Sequence, residues 1–125
     1  MPGYRISIDL SDVARRWARL GDEFRKALSE ELDRVGGEME AEAKRLVPVR
    51  TGYLRSTIYH RTEGLRMDFG AAASYALFVE LGTRRMQPRP FIRPAFESHR
   101  GSLRFIPLKA WMRIARSRLA GLFGR

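Results

Sequence analysis

Hydrophobic and polar positions alternate strictly at the start of the chain. In residues 4–10 every second side chain is apolar, and a period of two is typical of a strand with one buried face. The pattern therefore predicts a short, half-buried strand. Asp9 at its end, or Ser11 just after it, is a suitable N-cap for a helix that follows.

A helical repeat replaces the alternation further along the chain. In residues 13–46 the apolar side chains follow one another at steps of three or four, which places them on one face of a helix. Gly21 interrupts the repeat, because glycine ends a helix easily and Asp22 can cap the next one. We therefore predict a short helix near 12–20 and a long helix near 22–46.

Two glycines, Gly36 and Gly37, lie inside the predicted long helix. Each costs about 1 kcal/mol relative to alanine in a helix interior. The pair indicates either a close approach of another element or a local kink. On the outer face, Glu40 and Lys44 are four residues apart, a spacing that favours an ion pair.

Two strands joined by a tight turn are predicted next. Pro48 ends the long helix, because a residue before proline is pushed out of the α region. Tyr53–His60 is rich in residues that favour sheets, and Leu65–Phe69 alternates between apolar and polar positions. Since Glu63-Gly64 between them suits a tight reversal, the segment is predicted to be a β-hairpin.

The segment 75–96 combines an apolar block with a cationic, proline-rich stretch. The block, Tyr75–Leu81, is either a strand or a short helix, and we expect its apolar side chains to be buried. After Gly82-Thr83, arginines alternate with prolines, which exclude an interior strand or an unbroken helix. We therefore predict a stiff loop between hydrophobic anchors. Such a loop loses little entropy on docking, so it is either a protein interface or a solvated surface loop. The predicted interface residues are Arg84, Arg85, Arg89, Arg93 and Phe91.

Helical segments are predicted for the rest of the chain, the first beginning near Pro94. The second, Pro107–Phe123, has an apolar face that we expect to pack on its own domain, the alternative being a neighbouring subunit. That face carries Leu108, Trp111, Met112, Ala115, Leu119 and Leu122. Lys109, Arg113 and Arg116 flank it and are possible DNA-facing residues.

Together these elements predict an α+β fold, with the long helix packed across a small antiparallel sheet. We expect a main domain at 1–106 and a basic amphipathic C-terminal helix at 107–125. The predicted core comprises Leu28, Leu32, Val35, Met39, Leu54, Ile58, Leu65, Met67, Phe69, Phe78 and Phe91.

Charge is distributed unevenly along the 125 residues, whose formal net charge is +10. Residues 1–42 carry a net charge of −3 and residues 43–125 a net charge of +13. A basic surface implies an anionic neighbour, namely nucleic acid, an acidic protein or a membrane surface. Neither a signal peptide nor a membrane span is evident, so we expect a soluble protein made in the cytoplasm.

The residues expected at a catalytic or metal site are missing. The chain has no cysteine, and no metal-ligand spacing surrounds His60 or His99, which we interpret as surface or strand-end residues. Glu80 lies in an apolar block, where we expect an arginine to pair with it. Motifs of nucleic-acid-binding modules are also absent. We therefore expect no enzyme activity, cofactor or metal.

Two sequence blocks carry a resemblance to a known family. The first spans residues 43–58 and contains Pro-Val-Arg-Thr-Gly-Tyr-Leu-Arg at 48–55. The second contains Tyr-Ala-Leu-Phe-Val-Glu-Leu-Gly-Thr at 75–83 and Pro-Arg-Pro-Phe-Ile-Arg-Pro-Ala at 88–95. In this order they resemble the neck, or tail-completion, proteins of long-tailed bacteriophages, of the gpZ-like type. The resemblance fades after Phe96, where this chain becomes more basic than the family.

This resemblance implies a structural virion protein that joins the DNA-filled head to the tail. Its implied partners are further copies in a ring, with a hexamer favoured, the head–tail connector and tail terminator proteins, and DNA passing through the channel without sequence specificity. It would be assembled in the host cytoplasm and located in the virion neck or tail. The alternative is a sequence-independent DNA-binding protein that uses the same arginines.

Overall fold

The computed structural model of the protein describes residues 3–123 and the side chains of residues 3–121. It confirms the α+β class, with one long helix, a three-stranded sheet and C-terminal helices. In chain order the elements are β1 (Tyr4–Asp9), α1 (Ser11–Arg16), a 3-10 turn (Ala18–Leu20), α2 (Gly21–Leu46), α3 (Tyr53–Ser56), β2 (Ile58–Glu63), β3 (Arg66–Ala71), α4 (Ala76–Leu81), α5 (Ile92–Ser98), α6 (Arg100–Arg104) and α7 (Ile106–Phe123).

The sheet is antiparallel with the order β1-β3-β2, so the hairpin's second strand lies in the centre. Gly64 makes the predicted reversal with a φ of 59°, a conformation that glycine adopts without steric cost. In register, Phe69 faces both Ile6 and His60. Asp9 accepts hydrogen bonds from the backbone N–H and the hydroxyl of Ser11, but the N-cap residue of α1 is Leu10 and no side chain caps the helix, so the predicted N-cap at Asp9 or Ser11 is wrong.

Helix α2 packs across the sheet through one continuous buried stripe, as the three-to-four spacing predicts. The glycine pair marks a close approach rather than a kink, because a Cβ on Gly36 would lie 2.9 Å from Cδ2 of His60 and 3.2 Å from Sδ of Met67. Ten of the eleven predicted core residues are buried, and Phe78 is the exception.

The predicted strand at Tyr53–His60 is wrong in its first half, where α3 forms instead. Gly52 enters the turn with a φ of 86°. The hydroxyls of Ser56 and Thr57 then donate to the backbone carbonyls of Tyr53 and Leu54. Such local side-chain bonds stabilise a turn against an extended strand, and β2 therefore begins only at Ile58.

The block at Tyr75–Leu81 is a helix, α4, and the expectation that its apolar side chains are buried is wrong. Phe78 is 54% exposed and Leu81 is 61% exposed. A helix of this length presents one face to the core, and in α4 that face carries Ala76 and Glu80. The larger apolar side chains consequently point to solvent.

Helix α7 packs along α2, but not with the predicted apolar face. Its buried residues are Ile106, Ala110 and Ile114, at steps of four. From the predicted face, Leu108, Trp111, Met112 and Leu119 are exposed, and the side chain of Leu122 lies outside the described residues. Small Ala110 permits a close approach, and ion pairs from α7 to α2 fix the rotation.

Candidate protein-interaction site

The cationic segment after α4 forms a small hairpin, which we call the arginine hairpin (residues 82–90). The backbone N–H of Thr83 donates to Met86 at 2.8 Å, and Met86 donates back to Thr83 at 3.3 Å. Arg84 and Arg85 occupy the tip between these two residues, and both are exposed. The tip is therefore held by a closed pair of backbone bonds and presents two guanidinium groups to solvent.

Two further contacts fix the base of the arginine hairpin. The N–H of Arg89 donates to the carbonyl of Val79 at 2.8 Å. Gly82 has a φ of 79°, and a Cβ on it would lie 2.7 Å from the nitrogen of Pro88. The two ends of the hairpin therefore lie so close together that only glycine fits at position 82. This contact supports the predicted stiffness.

Glu80 anchors the chain directly after the hairpin. Its side chain is buried, and its carboxylate accepts hydrogen bonds from the backbone N–H groups of Phe91, Ile92 and Arg93 at 3.1, 2.9 and 3.0 Å. The expected arginine partner is wrong, although the structural role is right. Three amides at the start of α5 satisfy the buried carboxylate in place of a cation.

The structure separates the predicted interface residues into two groups. Arg84, Arg85 and Arg89 are exposed, and none of them forms an ion pair among the described residues. Arg93 is exposed too and lies 3.8 Å from Glu97. Phe91, in contrast, is 0% exposed. Its assignment to the core is confirmed and its assignment to the interface is wrong, because a fully buried ring has no surface to offer.

A groove runs between the arginine hairpin and the loop that follows α2, with a volume of about 640 Å³. It brings together residues of the two sequence blocks, and its lining residues from the first block end at Leu54 while those from the second begin at Tyr75. Its lining residues are Pro48, Val49, Arg50, Thr51, Gly52, Leu54, Tyr75, Val79, Met86 and Arg89.

Exposed apolar side chains border this groove, and the sequence analysis did not find them. Val49 is 65% exposed, and the rings of Tyr53 and Tyr75 lie 6.2 Å apart. On α4, Phe78 and Leu81 are exposed as well, although they do not line the groove. The available signal was the position of Val49, an apolar residue between a proline and the polar turn at 50–52.

The predicted DNA-facing cations on α7 differ in their surroundings. Arg113 donates to Glu30 at 2.8 Å and to Glu31 at 3.2 Å, both on α2. Lys109 and Arg116 are exposed and form no ion pair among the described residues. Arg113 is therefore already neutralised within the chain, and Lys109 and Arg116 remain available to an anion.

His60 is a packed residue rather than a surface or strand-end one. Its Nδ1 lies 2.7 Å from Glu40 and its Nε2 lies 3.2 Å from Asp33. Burial raises the pKa of Glu40, but hydrogen bonds from Lys44 and His60 outweigh it, and the net pKa lies below its ordinary value. The Lys44–Glu40 distance of 2.8 Å confirms the predicted ion pair.

Within residues 3–123, no group of three histidine, cysteine or acidic side chains is placed to hold a metal ion. In the same range, no helix combines the length and apolar character that crossing a membrane requires. The fold and the site thus define a small α+β protein whose most distinctive surface is an open groove beside a rigid cationic hairpin.

Comparison with known families gives this surface a context. The chain belongs to the HK97 gp10-like family, described as "Bacteriophage HK97-gp10, putative tail-component", whose model matches residues 11–82. This match confirms the relation to phage tail proteins. It extends the resemblance back through α1 and α2, and it ends at Gly82, the first residue of the arginine hairpin. No curated protein and no solved structure matches the chain significantly.

Proposed function

We propose that this protein is a structural, non-enzymatic component of the virion neck that joins the DNA-filled head to the tail. Its family relates it to phage tails. The observation that carries the finer assignment is the arginine hairpin, which is held rigid from within and yet directs Arg84 and Arg85 outward. A monomer has no use for such a hairpin, whereas a preorganised surface favours assembly.

The proposal includes a ring of identical subunits, with a hexamer favoured, that contacts the head–tail connector and the tail terminator. A closed ring needs two different surfaces on each subunit. Apart from the groove, an apolar surface that a neighbouring copy could contact forms where the turn after α1, the start of α2 and the start of α7 meet. It is lined by Trp17, Leu20, Phe24, Pro107, Leu108 and Trp111. The two surfaces share no residue, which supports a subunit with several neighbours.

Replacing Arg84 and Arg85 together by alanine tests the proposal. We expect the variant to fold with an unchanged melting temperature, because neither side chain has an ionic partner among the described residues. In a phage or prophage lacking the native gene, this variant should leave full heads and complete tails unjoined in electron micrographs. The yield of infectious particles should fall by at least about a hundredfold.

The matched control replaces Arg25 and Lys26, another adjacent pair of exposed cations, which lies on α2. This control should support normal joining. Normal particles from the Arg84→Ala/Arg85→Ala variant would contradict the proposed role of the hairpin, and joined particles without the protein would contradict the neck assignment itself.

One observation favours sequence-independent DNA binding as a second function. Lys109 and Arg116 are exposed on the same helix, and the groove between them also contains Met112. DNA that passes through a neck would present a row of phosphates to these cations. The neutralised state of Arg113 limits this basic surface, so we place DNA contact second to protein contact.

A further inference from the structure

The groove between the arginine hairpin and residues 48–52 contains no acidic side chain. Its charged lining residues are Arg50 and Arg89, and the hairpin adds Arg84 and Arg85 beside it. None of these four arginines forms an ion pair among the described residues. We propose that this groove binds an acidic, apolar segment of a different virion protein, an inference that rests on the proposed function.

The floor and rim of the groove suit a peptide segment. Leu54 is buried at the floor, and Val79 beside it is half-buried. The rim contains exposed Val49 and Met86, and Tyr75, whose ring lies against that of Tyr53. Tyrosine, methionine and arginine are the residue types that are enriched where proteins meet. An apolar side chain would fill the floor while neighbouring carboxylates reach the arginines.

The charge of the chain argues against a second copy as the occupant. Of its 14 acidic residues, all within the described part of the chain, 13 already accept an ion pair or a hydrogen bond. Asp22 is the remaining one. The carboxylates that this groove needs therefore come from another protein.

The apolar rim argues against nucleic acid. Single-stranded nucleic acid is bound by aromatic platforms beside a basic track, and Tyr53 and Tyr75 alone would fit that description. Val49 and Met86 do not, because exposed aliphatic side chains gain nothing from contact with phosphates. An acidic peptide with an apolar residue satisfies both the cations and the aliphatic surface.

Photo-crosslinking in assembled particles tests the proposal. We would place p-benzoyl-phenylalanine at Val49, which is exposed on the rim, and irradiate purified particles. Mass spectrometry of the crosslinked peptides should identify a segment of a different virion protein that contains aspartate or glutamate within a few residues of a large apolar side chain. The same probe at Glu63, at the far end of the β2–β3 hairpin, measures background crosslinking.

Charge reversal then tests the role of the arginines. In the variant Arg50→Glu/Arg89→Glu, the Val49 crosslink should fall by at least about tenfold, because loss of close charge pairs at an interface typically costs more than the 1.4 kcal/mol that corresponds to tenfold. An unchanged melting temperature shows that the variant is folded. The reversal Arg61→Glu, outside the groove, should leave the crosslink unchanged.

The possible outcomes separate this inference from the proposed function. If the protein is absent from purified particles, the proposed function fails and the groove has no virion partner. If the protein is present but Val49 crosslinks to a second copy, to DNA, to a segment without acidic residues or to nothing above background, the inference fails and the neck assignment stands.

Discussion

Single residues inside the core decide how the surface of this protein is presented. Glu80 is the clearest case, because a buried carboxylate organises a loop through backbone amides rather than through a cation. Its three bonds connect the end of α4 to the start of α5 across the arginine hairpin. Gly36 has a similar influence, since its missing side chain allows the ring of His60 to lie against α2.

We expect Glu80→Ala to lower the free energy of unfolding by at least about 1–3 kcal/mol, because it leaves buried N–H groups without an acceptor. Urea denaturation measures this loss, and hydrogen exchange should show faster exchange at the amides of Phe91 and Ile92. Glu80→Gln keeps one acceptor oxygen, so its free energy of unfolding should lie between those of the native protein and Glu80→Ala. The control Glu97→Ala removes an exposed carboxylate and should stay within about 0.5 kcal/mol of the native protein. Equal stability of the two alanine variants would disprove the anchor.

The neighbouring glycines of α2 offer a matched pair of substitutions. Gly37→Ala should stabilise the protein by up to about 1 kcal/mol through helix propensity, because its Cβ would lie an ordinary 3.7 Å from His60. Gly36→Ala should instead lower the melting temperature. Its Cβ would lie 2.9 Å from a ring that Glu40 and Asp33 hold in place. A rise in melting temperature for both variants would show that the sheet yields at this point.

At the scale of elements, α4 and α7 share an unusual property. Both pack one face on the core and leave large apolar side chains of another face in solvent. In α4 the inner face carries Ala76 and Glu80, and in α7 it carries Ile106, Ala110 and Ile114. The large outer residues remain for contacts with other molecules.

Substitutions on the two faces of α7 test this assignment. Ile106→Ala should cost about 2–5 kcal/mol of unfolding free energy, since Ile106 is fully buried. Leu108→Ala, on the exposed face, should cost less than about 0.5 kcal/mol. Thermal or urea unfolding measures both variants. The reverse ranking would restore the face that the spacing of apolar residues predicted.

At the scale of the whole molecule, the uneven charge of the chain allows ion pairs to form between acidic α2 and basic α7. Acidic residues of α2 pair with basic residues of α7, at Glu30–Arg113 and at Glu23–Arg118, 2.8 and 3.2 Å apart. The arginines around the groove, and Lys109 and Arg116 on α7, are among the exposed cations that form no ion pair within the described residues.

If Lys109 and Arg116 contact DNA, the protein should retard any duplex at low salt, without sequence preference. Each phosphate neutralised contributes about 0.9 to the slope of log K against log salt, so Lys109→Gln/Arg116→Gln should reduce that slope by about 1.8. Gel retardation across a salt series measures it, with Arg25→Gln/Lys26→Gln as the control. Binding that ignores salt, or an unchanged slope, would remove the DNA role. Point variants are preferable to a deletion of residues 107–125, because that segment contributes Ala110 and Ile114 to the core.

The sequence by itself determined the elements in which hydrophobic and polar residues follow a regular pattern along the whole segment. The strand at 4–10, the helix at 22–46 and the hairpin around Gly64 follow from local preferences, which act over a few residues and need no tertiary partner. A stiff cationic loop after α4 was also predictable, because proline restricts the backbone wherever it occurs, but the hairpin that closes between Thr83 and Met86 was not. The interface role of its arginines stays a prediction, and buried Phe91 was wrongly grouped with them.

Only the tertiary structure decided which face of each short helix is buried, where α3 replaces a strand, and what satisfies Glu80. In α4 and α7, apolar residues occur on more than one face, so the choice of buried face depends on the shape and charge of α2 and the sheet. The groove depends on contacts between residues 48–54 and 75–89. Contacts between residues that are distant in sequence determine which side chains are buried and which groups they bond to. The pattern of the sequence specifies whether a residue prefers burial or solvent, but not the surface that it contacts.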